Sequence, residues 1–483
     1  AGPLGYCLQR ELTAAGITVD ASSTLVTSEG GAQATFTVVL NSQPSADVVI
    51  ALSSSDETEG TVSPASLTFT AANWNAPQTV TVTGVNDDEQ DGNQPFSIVT
   101  AAATSTDTGY DGLDAADVTV SNTDNDSAGI TVAVGALLSV SEGSSVPATF
   151  TVVLNAQPTA DVVIALSSSD STEGTVSPAS LTFTTTNWNA PQTVTVSSVD
   201  DALADGNQVF EVVIAAATST DANYAGLDAS DPQVTTIDND SAGITVSQLS
   251  GLTTTEAGGS ATFSIHLNSQ PTADVVIAVT SSYLTECSGV PATLTFTSVN
   301  WAAPQTVTVT GVDDDAQDGN QSYTITLAPS VSTDATYSGL DAPDVSVSNT
   351  DNDSAGITVG LASLLTTTDV VGTATFTIVL NSQPTADVVI GVQSSNTAEG
   401  TVSPASITFT TANWSAPVTV TVTGVDDALA DHNQQYFVQF AAAVSSDANY
   451  SGRTTPNVPV TNVDNDTAGI TVAAAANLTT TEA

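Results

Sequence analysis

Lysine is absent from this 483-residue chain, and arginine occurs only at Arg10 and Arg453, against 52 acidic residues. A polyanion is held by lysine and arginine that displace its counterions, so nucleic acid and anionic membrane surfaces are excluded as partners. Lysine–asparagine cross-links are excluded with them. Cysteine is limited to Cys7 and Cys287, too few for a disulfide framework. No apolar run reaches the ~18 residues of a membrane-spanning helix, so membrane insertion is not expected. No signal peptide is visible, although Ala1 suits the residue left after its removal.

What is present forms strands. Hydrophobic residues make up 40% of the chain, and the runs of Val, Thr and Ile have the preferences of sheets, so a formal charge of −50 does not signify disorder. Charge of one sign at this density weakens a compact state unless the carboxylates are hydrated, salted or metal-bound. A salt-adapted surface and cation sites are the two ways to meet that need. The first would scatter Asp and Glu along outward strand positions, but those hold Thr, as in Gln78-Thr-Val-Thr-Val-Thr83. The acids cluster in loops, which favours cation sites.

The nonapeptide Asp124–Val132, Asp-Asn-Asp-Ser-Ala-Gly-Ile-Thr-Val, recurs at Asp238–Val246 and Asp351–Val359, and with one change at Asp464–Val472, at spacings of 114, 113 and 113 residues. A fixed period marks an array of one unit. Each copy is long enough to close its own core, as a sandwich of ~100 residues does. The boundaries are a leader 1–16, repeats 17–129, 130–243, 244–356 and 357–469, and the first strand of an incomplete fifth copy, 470–483. Within repeat one, Ala34–Leu40 puts Phe36, Val38 and Leu40 on one face and Thr35 and Thr37 on the other. Runs at 47–52, 66–70, 78–83, 95–99 and 117–121 follow, separated by Pro, Gly, Asn and Asp turns. The predicted fold class is all-β: a tandem array of four seven-stranded antiparallel β-sandwiches, immunoglobulin-like in architecture. Asp-Asn-Asp-Ser-Ala-Gly leads straight into the next Ile-Thr-Val, so the array is expected to form an extended rod. At ~40 Å per domain, from strands of ~10 residues rising ~3.3 Å each plus loops, four repeats would span about 160 Å.

Acids recur at five positions in register. Glu29, Glu142, Glu256 and Asp369 precede the second strand; Glu59, Glu173, Glu286 and Glu399 fall in a turn. A pair site holds Asn86-Asp87, Asp200-Asp201, Asp313-Asp314 and Asp426-Asp427, followed by Asp91, Asp205, Asp318 and Asp431. Asp124 with Asp126, Asp238 with Asp240, Asp351 with Asp353 and Asp464 with Asp466 close the repeats. Alternate loops of a sandwich share one pole, and these acids fall where the chain revisits the pole from which it leaves. Carboxylates meeting there stay ionised only beside a counter-charge. Calcium takes about six to eight oxygen ligands in flexible geometry, and no His or Cys recurs to suggest a transition metal. Ca2+ is therefore the expected cofactor, gripping the junction to the next domain. The plainer alternative, that Asp and Asn only make turns by bonding their own backbone, accounts for one Asp-Asn-Asp but poorly for five co-registered positions.

At Val140-Ser-Glu-Gly143, at Asp200-Asp-x-x-x-Asp205 with the aromatic strand Val209–Val213 after it, and at the closing Asp-Asn-Asp-Ser-Ala-Gly-Ile, the repeat resembles the Calx-beta domain. That family is the calcium-binding sandwich of sodium–calcium exchangers and also recurs in bacterial surface proteins. The resemblance covers about 450 residues in four copies. It implies that the family's Glu before the second strand, its acid before Gly-Thr, its paired Asp with a downstream acid and its C-terminal acidic triplet fall on the five positions above. Four departures stand out: Glu59-Gly60-Thr61 has Glu where the family usually has Asp, the Asp-Tyr that normally follows is missing, Asn86 replaces the first Asp of its pair, and Asp369 replaces Glu. Occupancy is expected to differ among junctions accordingly.

Trp74, Trp188, Trp301 and Trp414, each in Asn-Trp-x-Ala-Pro, are read as packing anchors, with a sugar-stacking platform as the alternative. Tyr110, Tyr224, Tyr337 and Tyr450 would extend such a platform. His266 and His432 have no repeated partners, and no acid, base and nucleophile recur together, so no enzyme is expected. Cys7 and Cys287 stand too far apart along a rod to pair within one chain; a disulfide between staggered chains is the alternative to free thiols. The leader lacks the acidic triplet and reads as an N-terminus. The strand 470–483 reads either as the start of further repeats or as one donated to another subunit. The expected protein is a secreted or cell-surface structural protein, a calcium-stiffened rod serving as an adhesin stalk or filament subunit. Its expected partners are copies of itself, surface glycans or another cell, and a carbohydrate-binding module is the second reading.

Overall fold

The computed structural model describes residues 14–21, 23–361 and 363–473. Cys7, most of the leader and residues 474–483 of the fifth copy lie outside the described residues, and residues 470–473 are in no strand. Repeat one contains nine strands: β1 Ile17–Asp20, β2 Leu25–Ser28, β3 Gln33–Leu40, β4 Val48–Ser54, β5 Gly60–Ser63, β6 Ser66–Phe69, β7 Gln78–Gly84, β8 Gln94–Thr100 and β9 Val118–Thr123. One sheet runs β1-β3-β7-β5 and the other β2-β9-β8-β4-β6; both orders recur in the other three repeats.

Period-two alternation accounts for the packing. Phe36, Val38, Leu40, Val80 and Val82 of the first sheet and Val48, Ile50, Phe69 and Ile98 of the second form one buried cluster. Outside, Thr35 stands opposite Thr81 and Thr37 opposite Thr79, β-branched pairs that suit a pleated surface. Among the described residues no helix is long and apolar enough to cross a membrane.

The all-β, two-sheet class holds, but the expected seven strands are nine and one pairing is parallel. The first expected strand is two: β1 pairs antiparallel with β3, the chain turns at Ser23 with a φ of 84°, and β2 joins the other sheet parallel to β9. A change of sheet within one apolar run leaves no mark in the alternation. The extra strand, β5, pairs with β7 at Gly60↔Gly84 and is too short to show a period.

The chain divides into two compact units, residues 1–201 with 205–239 and residues 202–204 with 240–483. In the first unit, the loop after β7 meets the second repeat through its backbone and through the side chains of Gln90 and Glu89, the latter accepting from Gln157 Nε2 at 3.4 Å. Gln157 N donates to Asp88 O at 2.7 Å, and Asn223 Nδ2 donates to Gln90 O at 2.8 Å. Gln90 Oε1 accepts from Ala128 N at 2.5 Å. The second unit repeats this between its own two repeats: Gln383 N donates to Asp315 O at 2.6 Å, Asn449 Nδ2 to Gln317 O at 2.6 Å and Ala355 N to Gln317 Oε1 at 2.5 Å.

Two expectations need correction. Tyr110, Tyr224, Tyr337 and Tyr450 are fully buried and cannot form a stacking surface, because each hydroxyl is held inside. It donates to the carbonyl of Ser42, Ala156, Ser269 or Ser382 at 2.7, 2.6, 2.7 or 2.6 Å and accepts that residue's amide. The four tryptophans are half-buried against their cores, in keeping with packing anchors. Cys287 is 2% exposed within the third core, so a sulfur of another chain cannot reach it while the repeat is folded; it is a buried free thiol.

Replacing Tyr224 by Phe strands the Ala156 amide and carbonyl without their side-chain partner, and is expected to destabilise repeat two by about 1–3 kcal/mol. Equilibrium urea unfolding of the full chain reads this as an earlier transition; an unchanged midpoint would mean the hydroxyl contributes nothing.

Candidate metal centre

Two strand pairings bring the acids together. β2 lies parallel to β9 with Ser28 beside Thr123, so Glu29 and Asp124 leave the sheet side by side. β5 begins opposite the end of β7, Gly60 against Gly84, so Glu59 meets the loop that carries Asp87 and Asp91. The result is two clusters in repeat one: Glu29, Asp124 and Asp126 in one, and Glu59, Asp87 and Asp91 in the other, each with one carboxylate oxygen per residue within 4.8 Å of the others. Repeat three has the same two, Glu256 with Asp351 and Asp353, and Glu286 with Asp314 and Asp318.

The two members of the pair site part company. Its second member, Asp87 or Asp314, belongs to the Glu59 or Glu286 cluster. Its first member instead faces the terminal Asn: Asn125 Nδ2 donates to Asn86 Oδ1 at 3.1 Å, Asn239 Nδ2 to Asp200 Oδ1 at 3.0 Å and Asn352 Nδ2 to Asp313 Oδ1 at 2.9 Å. In repeat four, the shorter Asp369 accepts from Asn462 Nδ2, whereas Glu29 and Glu256 accept from the backbone of Asn125 and Asn352 at 3.0 and 2.9 Å.

Turn-making accounts for some of these oxygens. Asp124 Oδ1 accepts from Asp126 N at 2.7 Å, and Asp124 Oδ2 from Gly92 N at 2.7 Å. At the latter position of repeat four His432 takes a left-handed φ of 74°, where Gly92, Gly206 and Gly319 stand in the others, and its amide donates to Asp464. Turn-making leaves other oxygens stranded: Asp126 Oδ2, Glu173 Oε2, Asp353 Oδ2 and Asp466 Oδ2 are buried without a partner. Arg453 is the only lysine or arginine among the described residues, and its Nε donates to Asn449 O.

Burial, then neighbouring carboxylates, raises the pKa of Asp91, Asp126, Asp353 and Asp466. Burial likewise raises Glu29, Glu59, Glu142, Glu173, Glu256 and Glu399, with Coulombic repulsion from clustered acids added. Asp334 is a contrast outside the clusters: burial alone would raise it, yet hydrogen bonds from Thr336 and Thr272 hold it at about 2. Buried carboxylates with unpartnered oxygens and no cation to share fit a hard divalent ion with an all-oxygen shell.

The sequence pattern did not reveal Asn122, Asn349 and Asn462, all buried. Asn122 accepts from Thr27 Oγ1 at 3.0 Å and donates through Nδ2 to Val85 O at 3.0 Å and Glu59 Oε2 at 3.3 Å. Asn349 and Asn462 reach Glu286 Oε2 and Glu399 Oε2 at 3.2 and 3.3 Å. The available signal was an amide on the inward face of an otherwise apolar last strand.

The raised carboxylates carry a pH signature. Their folded pKa values lie above the unfolded ones, so without metal their contribution is fully present below the unfolded values and is lost as pH rises through the folded ones. In chelator, the thermal midpoint is therefore expected to rise as pH falls from 7.5 towards about 5. In saturating calcium the dependence is expected to reverse, because the ion holds the charged form. Parallel melts in the two buffers check both signs.

Comparison with known families matches the Calx-beta domain to residues 14–126, 124–240 and 243–354. Among solved structures, the chain is similar to CBD12 from CALX1.2 at 15% identity, covering 41% of this chain and 79% of that one with a TM-score of 0.21. It is similar to domains 4–9 of the surface layer protein SbsC at 14% identity, covering 93% and 78% with a TM-score of 0.24. Comparison with curated proteins finds no match.

Proposed function

The chain belongs to the Calx-beta domain family, and from that premise we propose that it is a structural protein of the cell exterior, a calcium-stiffened repeat rod serving as adhesin stalk or filament subunit. The observation that carries this reading is the set of buried, unpartnered carboxylate oxygens on Asp126, Asp353 and Asp466. Each sits in the short segment that leads out of its repeat, three residues before the glycine that closes it. A Ca2+ ion held there, and another at Glu59, Asp87 and Asp91 and their counterparts, would neutralise the pole and fix the exit direction of the chain. The ligands proposed are the acids at the five registered positions. Threonine-covered outer faces suit a spacer that presents something else, and catalysis is not part of this reading. Copies of the same chain are its proposed partners. A glycan-binding role is weakened by the burial of Tyr110, Tyr224, Tyr337 and Tyr450.

At a hundredfold excess of calcium over its dissociation constant, each site adds about 2.7 kcal/mol. For a domain of this size that is of order 10 °C in thermal midpoint. Thermal unfolding with small-angle scattering, in millimolar calcium against excess chelator at fixed salt, is expected to show a higher midpoint and a longer, stiffer particle with the ion. Identical melts and profiles would leave only acidic turns.

A further inference from the structure

Repeat four departs from the others on the outer face of its second sheet. The strands there are Val388–Ser394, Gln434–Phe440 and Val458–Val463, whose inward residues Val392, Tyr436, Val438 and Val460 are buried. The alternate, outward positions hold Gln393, Gln435, Phe437 and Gln439. Repeat one has Ser53, Pro95, Ser97 and Val99 in these places, and repeat three has Thr280, Ser322, Thr324 and Thr326. Repeat two has Ser167, Val209, Glu211 and Val213. Gly391, an alanine in the other three copies, removes one more side chain from the same face. Three amides and an aromatic ring are gathered on one face of one copy.

The backbone holds this ring in place from both sides. Phe437 is 44% exposed and stands opposite Pro459 on one neighbouring strand. On the other side Phe437 N donates to Ser395 Oγ at 2.9 Å, and Ser395 N donates to Phe437 O at 2.8 Å. Gln435 and Gln439 lie two residues before and after it, ~7 Å along the strand, so an amide flanks the ring in each direction. Gln393 is paired with Gln439, and its Nε2 donates to Gln439 Oε1 at 3.3 Å. That bond leaves Gln393 Oε1 to accept and Gln439 Nε2 to donate, side by side. A hydroxyl group, which both donates and accepts, suits such a pair.

We propose that this face of repeat four binds a neutral polysaccharide, with the apolar C–H face of a sugar ring on Phe437 and its hydroxyls bonded to Gln393, Gln435 and Gln439. Charge selects the ligand class. None of the outward residues on these three strands is charged, whereas the chain as a whole carries −50. An anionic polymer is repelled by that field, and a cationic one is drawn to the acidic loops and away from this face. A protein interface would gather several apolar and aromatic side chains at its core; a single ring set among convergent polar groups is the make-up of a small-ligand site. The burial of Tyr450 and its counterparts weighs against a platform at the repeated positions, but this site uses residues that the other copies lack. It needs no metal and stands apart from the calcium reading.

Affinity electrophoresis of the full chain tests it, in gels containing dextran, mannan, galactan or xyloglucan, with hyaluronan as the acidic control. At least one neutral polymer is expected to retard the chain, and hyaluronan is not. Phe437→Thr, which installs the residue repeat three has there, is expected to weaken the retarding interaction by about tenfold. Gln393→Ser with Gln439→Val, the pair found in repeat one, is expected to weaken it as well, and serves if the first variant folds poorly. No retardation by any of the four neutral polymers overturns the proposal. So does retardation that both variants leave unchanged, or stronger retardation by hyaluronan. Sedimentation of the same proteins covers the remaining occupant: self-association that Phe437→Thr abolishes, without retardation by a neutral polymer, would make the face a contact between copies and overturn the glycan site.

Discussion

Two backbone pairings govern the acidic pole. Because β2 runs parallel to β9, the chain must deliver Glu29 and Asp124 to the same point. Because β5 starts against the end of β7, Glu59 must enter the loop of Asp87 and Asp91. The carboxylates are thus brought together by the hydrogen-bond ladders of two well-packed sheets. The ladders fix where the backbone delivers each acid, so relief of their repulsion is left to side-chain rotation, protonation or a counter-charge. The fold therefore gathers like charge at two neighbouring clusters in repeats one and three, in a chain that has no lysine to offset it.

The buried asparagines show how much of that repulsion the protein offsets itself. An amide gives a carboxylate one N–H but no net charge, so it orients Glu59 without neutralising it. Asn462 is stretched further, serving Asp369 as well as Glu399. Repeats nearly identical in sequence therefore present sites of different internal support, through exchanges of one or two atoms' worth of side chain.

Period, sheet class and the five acidic positions were legible in the sequence because each repeats four times against a changing background. What escaped depended on direction or distance. Neighbouring side chains on a strand-like segment point apart, which sends Asp87 into the Glu59 cluster and turns Asn86 to Asn125 although they read as one pair. Tyr110 lies in a loop and reads as surface, but the loop folds back so that the ring is buried and the hydroxyl reaches Ser42. Asn122 carries no partner that the sequence names, and only the parallel placement of β2 reveals Thr27 as one. The split first strand was hidden because Ile17–Asp20 and Leu25–Ser28 show the same alternation in different sheets.

The glutamine contacts between neighbouring repeats carry a consequence for how such a chain can change over generations. Gln90 and Gln317 belong to the first and third copies, and the asparagines that meet their carbonyls, Asn223 and Asn449, to the second and fourth. At the matching positions the second and fourth copies have Ala204 and Ala430, while the first and third have Gly109 and Thr336. Asn223 and Asn449 donate to main-chain carbonyls, which alanine supplies as well as glutamine does, so what glutamine adds is the side-chain oxygen that accepts from Ala128 N and from Ala355 N. A glutamine-to-alanine change at Gln90 or Gln317 would keep the main-chain bond and give up the amide's partner, so a single codon sets how firmly a copy is tied to the one that follows it within its unit.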